Sequence, residues 1–254
     1  MPKKTFVLLL SFLLAALCLA AASQARPPSP AEELFLQGAQ ALNGGNPKLA
    51  EEKFSEALRL NPKLPEAYIN RGIARMRQEQ YVEAVEDFDQ AIKLAPKSPE
   101  AYYNRALAYS RSGLYKKAVE DYTRALKYAP KDWQIYYNLG NAYLDLGQAD
   151  LALKNYNQAA KLNPQAAAVF HNRGLAYLAL KKPREALADF DRVLELNPNF
   201  ARAVYNRARA LEQLGKKQEA MAAYRRFLKV GNPETDSALL HQALERLKVL
   251  EGKK

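Results

Sequence analysis

Residues 133–166 read WQIYYNLGNAYLDLGQADLALKNYNQAAKLNPQA, and the chain on either side repeats the same plan. The proline near the end of this stretch, Pro164, stands 34 residues after Pro130 and 34 before Pro198, and the series runs back through Pro96 to Pro62. Each follows a helix-like segment that ends in Asn or Ala. A fixed period of this length means one supersecondary unit stacked on copies of itself, with no separate catalytic domain.

Setting each proline at position 32 divides the array into units 31–64, 65–98, 99–132, 133–166, 167–200 and 201–234, with the sixth proline one place late at Pro233. Within a unit, two helical periodicities are separated by a break near position 15, where Gly113, Gly147 and Gly215 fall. Each unit therefore reads as a helical hairpin. Position 8 is Gly38, Gly72, Ala106, Gly140, Gly174 or Ala208, and position 20 is always Ala, from Ala50 to Ala220. Only small side chains stand there, which predicts close approach of the two helices of a hairpin. Position 24 is always aromatic, Phe54, Phe88, Tyr122, Tyr156, Phe190 and Tyr224, and reads as the matching core stripe.

These residues resemble the tetratricopeptide repeat over residues 31–234, and the fourth unit, with Tyr136, Leu139, Gly140, Tyr143, Ala152, Tyr156, Ala159 and Pro164, is close to that family's pattern. The resemblance implies an all-α fold, a right-handed α-solenoid of six antiparallel helix pairs, with the first helix of each pair lining a concave groove. A last amphipathic stretch, 235–254, predicts a capping helix from Ser237 to about Leu250, started by Thr235 or Asp236, with Leu240, Ala243, Leu244 and Leu247 on its apolar face.

Some recurring residues are not demanded by packing. Asparagine returns at position 6 as Asn70, Asn104, Asn138, Asn172 and Asn206, with Leu36 breaking the series in the first unit. An amide both donates and accepts, so such a row suits the backbone of an extended peptide; it also suits bonds between neighbouring units. In some tetratricopeptide proteins, such as those resembling the array of O-GlcNAc transferase, a ladder of this kind grips peptide. Beside it, position 5 supplies Tyr103, Tyr137, His171 and Tyr205, position 9 supplies Asn141 and Arg209, and position 2 supplies Arg202. By the resemblance these line the groove, with apolar contact for affinity and amides for register. Asn141, Asn172 and Arg202 match three places of the family's carboxylate clamp, but Tyr137 and Asn206 stand where its other cations belong. Position 7 is Arg71, Arg105, Arg173 and Arg207; Asp87, Asp121 and Asp189 at position 23 predict a bridge across three of those hairpins and leave Arg207 as the cation freest for a ligand.

At the N-terminus, Lys3 and Lys4 precede an uncharged run from Thr5 to Ala22, followed by Ser23-Gln24-Ala25. This reads as a secretory signal peptide, 1–25, cut after Ala25, with Ala22 as a second possible cut and an uncleaved anchor as a third reading. A lipid anchor at Cys18, the only cysteine, is disfavoured by Leu17 beside it. Residues 26–30, rich in proline, form a stiff linker. The expected location is outside the cytoplasm, periplasmic or secreted, with membrane contact only through a retained signal or lipid.

The 254 residues carry a formal charge of +11, which falls to +9 without Lys3 and Lys4. Basic and acidic residues alternate through every unit, so the charge reads as a solvated surface, and export argues against nucleic acid. His171 and His241 lie too far apart for a zinc site, and Gly215-Lys216-Lys217 lacks the upstream glycine of a phosphate loop. Asp87 with Asp89, and Asp189 with Asp191, read as a solvated face. No catalysis and no cofactor are expected. The partner expected is another protein, bound through an extended peptide or a helix during envelope assembly or secretion, with a glycan- or cell-wall-binding accessory as the alternative.

Overall fold

The structure, a computed structural model, describes residues 27–252. The reading of 1–25 as a signal peptide, Cys18 included, lies outside the described residues. Within them there are thirteen helices and no strand. The first twelve form hairpins: α1 (Pro30–Asn43) with α2 (Pro47–Leu60), α3 (Pro65–Arg77) with α4 (Tyr81–Leu94), and α5 (Pro99–Arg111) with α6 (Tyr115–Tyr128). Next come α7 (Trp133–Asp145) with α8 (Ala149–Leu162), α9 (Ala167–Ala179) with α10 (Pro183–Leu196), and α11 (Ala201–Gln213) with α12 (Lys217–Val230). The last helix, α13 (Pro233–Glu251), packs on α12 and α11.

The repeated prolines act on the residue before them. A proline ring disfavours helical backbone at that residue, and Asn61, Ala95, Ala129, Asn163 and Asn197 all leave the helix, with φ between −130° and −143°. Where that residue is Asn, its carboxamide oxygen accepts the N–H two residues on, as Asn61 does from Lys63 at 3.1 Å. At the end of the sixth hairpin the late proline changes role. Pro233 stands inside the first turn of α13, where its missing N–H costs nothing, and Asn232 caps that helix by accepting from Glu234 N–H at 2.9 Å.

Alpha13 therefore starts at Pro233, inside the expected sixth unit, rather than at Ser237. Thr235 and Asp236 are not its cap. Its buried stripe runs through Asp236, Ala243 and Leu247, with Leu239, Leu240 and Leu250 half-buried beside them, while Leu244 turns outward.

Inside each hairpin the small residue at position 8 receives the ring at position 24. A Cβ on Gly72 would lie 2.6 Å from Phe88, and one on Gly140 would lie 2.6 Å from Tyr156. A methyl there overpacks the joint, at a cost of about 1 to 3 kcal/mol. All six aromatics at position 24 are buried. The tyrosines among them find partners for their hydroxyls, Tyr156 on Asn141 Oδ1 at 2.7 Å and Tyr224 on Glu212 at 2.9 Å.

The arginines at position 7 bridge the hairpins as expected, and they do more. Arg71, Arg105 and Arg173 each grip the carboxylate at position 23 of their own unit, Asp87, Asp121 and Asp189, at 2.6 Å. Their remaining nitrogens reach position 25 of the preceding unit: Arg71 to Ser55, Arg105 to Asp89, Arg173 to Asn157. Arg207 makes that backward bond alone, to Asp191 at 2.6 Å, so it is not a free cation. Nor do the paired aspartates form a solvated face together, since only Asp89 and Asp191 reach solvent. Asp87, Asp121 and Asp189 are buried, and Asp89 and Asp191 hold the next unit. The joint between α6 and α7 has no such tie, because position 7 there is the buried Leu139.

Successive first helices touch one another, α1 with α3, α3 with α5 and onward to α11 with α13, whereas successive second helices do not touch. The first helices therefore lie on the shorter, inner path of an α-solenoid, and positions 2, 5, 6 and 9 stand along its concave wall.

The concave wall as candidate functional site

The asparagine row is engaged within the array. Asn138 Nδ2 donates to the Tyr103 hydroxyl at 3.0 Å, Asn172 Nδ2 to the Tyr137 hydroxyl at 3.1 Å, and Asn206 Nδ2 to His171 Nε2 at 3.2 Å. Position 6 of one unit thus reaches position 5 of the unit before it. Asn70 and Asn104 cannot do this, because the preceding residues are Phe35 and Ile69, which offer no acceptor. They donate instead to carbonyls of their own helices, Glu66 at 2.8 Å and Glu100 at 2.9 Å.

Cross-links join these rungs. Asn141 Oδ1 accepts from Asn172 Nδ2 at 2.8 Å as well as from Tyr156, and Arg209 Nη1 donates to Asn206 Oδ1 at 3.1 Å. His171 Nδ1 lies 3.1 Å from Asn172 Oδ1. The Asn206 nitrogen can only donate, so His171 Nε2 accepts and the imidazole proton sits on Nδ1, facing the Asn172 carbonyl. Burial pushes this imidazole below its ordinary range; the Asn172 bond opposes that shift and the Arg202 cation adds to it. Burial likewise pushes the Tyr103 phenol up, helped by Asp132 and opposed by the Asn138 bond.

The rings at position 5 lean on the core aromatics of their own units, Tyr103 on Tyr122 at 5.9 Å and Tyr137 on Tyr156 at 6.2 Å between centroids. At the groove surface stand half-buried Ile73, Leu107 and Leu175 at position 9, with Glu66, Glu100, Gln134 and Arg202 exposed at position 2. The two asparagines that match the carboxylate clamp bond each other, while Arg202 Nε is held by Asp236 of α13 at 3.2 Å. Among the described residues no group of three or more His, Cys, Asp or Glu is placed to hold a metal ion.

Five of the sequence-derived residues, His171, Arg202, Tyr205, Asn206 and Arg209, come together at the C-terminal end around a cavity of about 400 Å3. Its remaining wall is Leu175 with Leu239 and Gln242 of α13. The last two were not singled out from sequence. The signal was available, because Leu239 stands 34 residues after Tyr205 and so continues position 5 into a seventh period. Asn70, Asn104, Tyr103, Tyr137, Asn138, Asn141 and Asn172 lie outside this cavity, along the rest of the wall.

Comparison with known proteins finds the same kind of repeat, and one match coincides with the third unit. Signatures described as tetratricopeptide repeat match residues 171–237, 99–132 and 121–154, and one described as TPR repeat matches 74–113 and 140–181. No curated protein matches. Among solved structures, a tetratricopeptide repeat protein from Parabacteroides merdae superposes with a TM-score of 0.72 at 22% identity, over 88% of each chain. MamA from Desulfovibrio magneticus gives 0.64 at 26% identity, over 68% of this chain and 97% of that one. YrrB, described as a TPR protein with an unusual peptide-binding site, gives 0.64 at 24% identity, over 76% and 98%.

Proposed function

Because the chain carries tetratricopeptide repeats and folds as their solenoid, we propose that it is a non-catalytic scaffold holding a peptide or helical segment of another protein against its concave wall. The observation that carries this reading is the wall itself. Tyr103, Tyr137 and His171 are fixed at both ends, by ring contacts beneath and by Asn138, Asn172 and Asn206 above, so the surface is ordered before a partner arrives. A surface of that kind loses little side-chain entropy on binding. Ile73, Leu107 and Leu175 supply apolar contact between the amide rungs. The peptide-binding site ascribed to YrrB, which shares the fold, supports the same use of this architecture.

The amide nitrogens act in this reading as positioning groups more than as grips. The candidate groove comprises Asn70, Asn104, Asn138, Asn172 and Asn206 with Tyr103, Tyr137, His171, Tyr205, Asn141, Arg202 and Arg209. The setting proposed is outside the cytoplasm, in envelope assembly or secretion, on the strength of the N-terminal sequence. The position 7 arginines are paired inside the array, which favours a protein partner over nucleic acid.

The test is selection of peptides from a random library, followed by titration of the best binder. Leu107→Glu and Leu175→Glu, at half-buried wall positions, are expected to weaken that peptide at least about tenfold with an unchanged circular dichroism spectrum. Undiminished binding to both variants, or failure of the library to yield any binder, would overturn the reading.

A further inference from the structure

The two long edges of the solenoid carry different charge. Each first helix runs from an inter-unit loop to a hairpin tip and each second helix returns, so the loops after α2, α4, α6 and α8 share one rim with the starts of the first helices. That rim is cationic. The last turns of those four second helices carry Arg59, Lys93, Lys127 and Lys161 at position 29, and the loops add Lys63, Lys97 and Lys131 at position 33. All seven are exposed, and among the described residues none pairs with a carboxylate. The acid nearest along α2, Glu56, is taken by Lys53 at 3.0 Å, and Glu66 and Glu100 stand on the concave side at position 2.

The fold accounts for only part of this row. A cation in the last turn of a helix complements its dipole, which explains position 29. Position 33 is different. Lys63, Lys97 and Lys131 stand two residues before α3, α5 and α7, at the positive ends of those helices, where a cation is disfavoured. Neighbouring units reinforce one another, because Arg192 at position 26 reaches the Pro164 carbonyl of the unit before and Arg226 reaches that of Pro198. This register sets the last turns of a second helix beside the preceding loop, so Lys93 and Lys127 flank the loops of Lys63 and Lys97. Apolar side chains are exposed among them at position 30, Leu60 at 58% with Leu94 and Tyr128. The row thins away from the N-terminal end, with Gln165 and Asn199 at position 33 and Glu195 at position 29. Residues 27–29 enter α1 from this same rim, and the uncharged run from Thr5 to Ala22 precedes them in sequence.

Unpaired cations interleaved with exposed leucine and tyrosine match the headgroup layer of a bilayer, where anionic phosphates meet apolar chain. We propose that the loop rim of the first four units docks on an anionic membrane surface, with lipid phosphates taking Lys63, Lys97 and Lys131, on the side from which the N-terminal segment leaves the array. The proposal goes beyond the scaffold reading and leaves the concave wall open to its own partner. Docking by the rim needs neither a retained signal nor a lipid anchor, and a retained signal would hold the same rim toward the bilayer.

The full chain is mixed with vesicles of phosphatidylcholine, alone or with about one third phosphatidylglycerol, and lysine acetylation is read residue by residue by mass spectrometry. Lys63, Lys97 and Lys131 are expected to label at least about threefold more slowly on the anionic vesicles and at an unchanged rate on the neutral ones, while the exposed Lys116, Lys182 and Lys217 near the hairpin tips stay reactive on both. An N-terminal segment inserted in the bilayer would hold the chain to both kinds of vesicle, so the contrast reads the rim alone. Changing Lys63, Lys97 and Lys131 together to Gln should weaken binding to the anionic vesicles at least about tenfold, and changing them to Arg should preserve it. The same change at Lys116, Lys182 and Lys217 removes equal charge and should weaken it less than about twofold. Equal protection of rim and tip lysines, or equal loss from the two triple variants, would overturn the proposal in favour of diffuse charge. Protection of the rim by dissolved polyglutamate or single-stranded DNA, but not by vesicles, would overturn it in favour of a polyanionic chain. Library peptides that bind the rim variant as they bind the native chain keep the groove reading separate, whichever way the vesicles decide.

Discussion

A residue in the left-handed region turns the chain at the tip of every hairpin. Gly45, Gly113, Gly147 and Gly215 hold φ between 73° and 77°, but the equivalent places in the second and fifth hairpins are Glu79 at 63° and Lys181 at 57°. A side chain there costs roughly 1 to 2 kcal/mol, partly offset because glycine loses more freedom on folding. Glu79→Gly and Lys181→Gly should each stabilise the fold by up to about 1 kcal/mol, read as a rise in the urea midpoint at constant slope. The three glycines that mark the break in sequence gave its place; the strain at Glu79 and Lys181 is legible only by lining them up with those glycines. His171 shows the opposite limit, since nothing in its neighbours along the chain reveals that Asn206, Arg202, Phe190 and Phe200 surround it. Its imidazole is held below the ordinary 6.5, so the unfolded chain takes up the proton first. Stability is therefore full above that ordinary value and is lost as pH falls through it towards the lower folded value. Between roughly pH 8 and pH 5, melting temperature should fall more in the native chain than in His171→Gln, which has no proton to gain. Parallel pH profiles for the two would show that the Asn206 contact does not favour the neutral ring.

At the scale of the element, the arginine of each first helix decides how firmly a hairpin is tied to the one before it. The bridge within a hairpin was readable, because Arg at position 7 and Asp at position 23 appear and disappear together in most units. The backward bond was not. Position 25 varies through Ser55, Asp89, Thr123, Asn157 and Asp191, and whether an arginine reaches it depends on how successive hairpins are rotated. Burial then separates the strong ties from the weak. Asp121 is 2% exposed against Arg105, so Asp121→Ala removes the buried partner and leaves that guanidinium only the half-exposed Asp89, and should cost up to about 3 kcal/mol. Asp191 is 46% exposed, and Asp191→Ala should cost no more than about 1 kcal/mol. The fourth unit carries an uncharged solution, Leu139 with Asn155, at the same places. The double change Arg105→Leu with Asp121→Asn should accordingly recover most of the loss from Asp121→Ala, as measured by chemical denaturation in a double-mutant cycle. A double variant no more stable than Asp121→Ala would mean that the ion pair itself, and not the guanidinium left without its buried partner, sets the energy.

Across the whole molecule each hairpin touches only its neighbours, so stability is a chain of local interfaces and the two ends need not behave alike. The array and its inner wall follow from the period, whereas the unlike ends follow from what each terminal helix has to cover. At the N-terminal end α1 turns Glu33, Gln37 and Gln40 outward with Leu36 as the apolar exception, and Ser29 closes its first turn with a capping box to Glu32. That face is already polar. The C-terminal end is not, because α11 and α12 offer Leu211, Tyr224 and Phe227, all buried, and Leu239, Leu240, Ala243 and Leu247 pack over this cluster. Polar ties hold the cover in place, Arg202 to Asp236, Tyr205 to Gln242 and Arg246 to Glu212. A chain ending at Gly231 would expose that core and leave Arg202 and Glu212 without those partners. Fully burying a side chain the size of leucine is worth roughly 1.5 to 3 kcal/mol, so losing several partly buried ones should loosen the last hairpin first. Hydrogen exchange should show α11 and α12 losing protection while α1 to α4 keep theirs, and the truncated chain should self-associate more than the full chain in sedimentation. Loss of protection spread evenly along the array would mean that the hairpins unfold as one cooperative block, and the nearest-neighbour account of this solenoid would then be wrong.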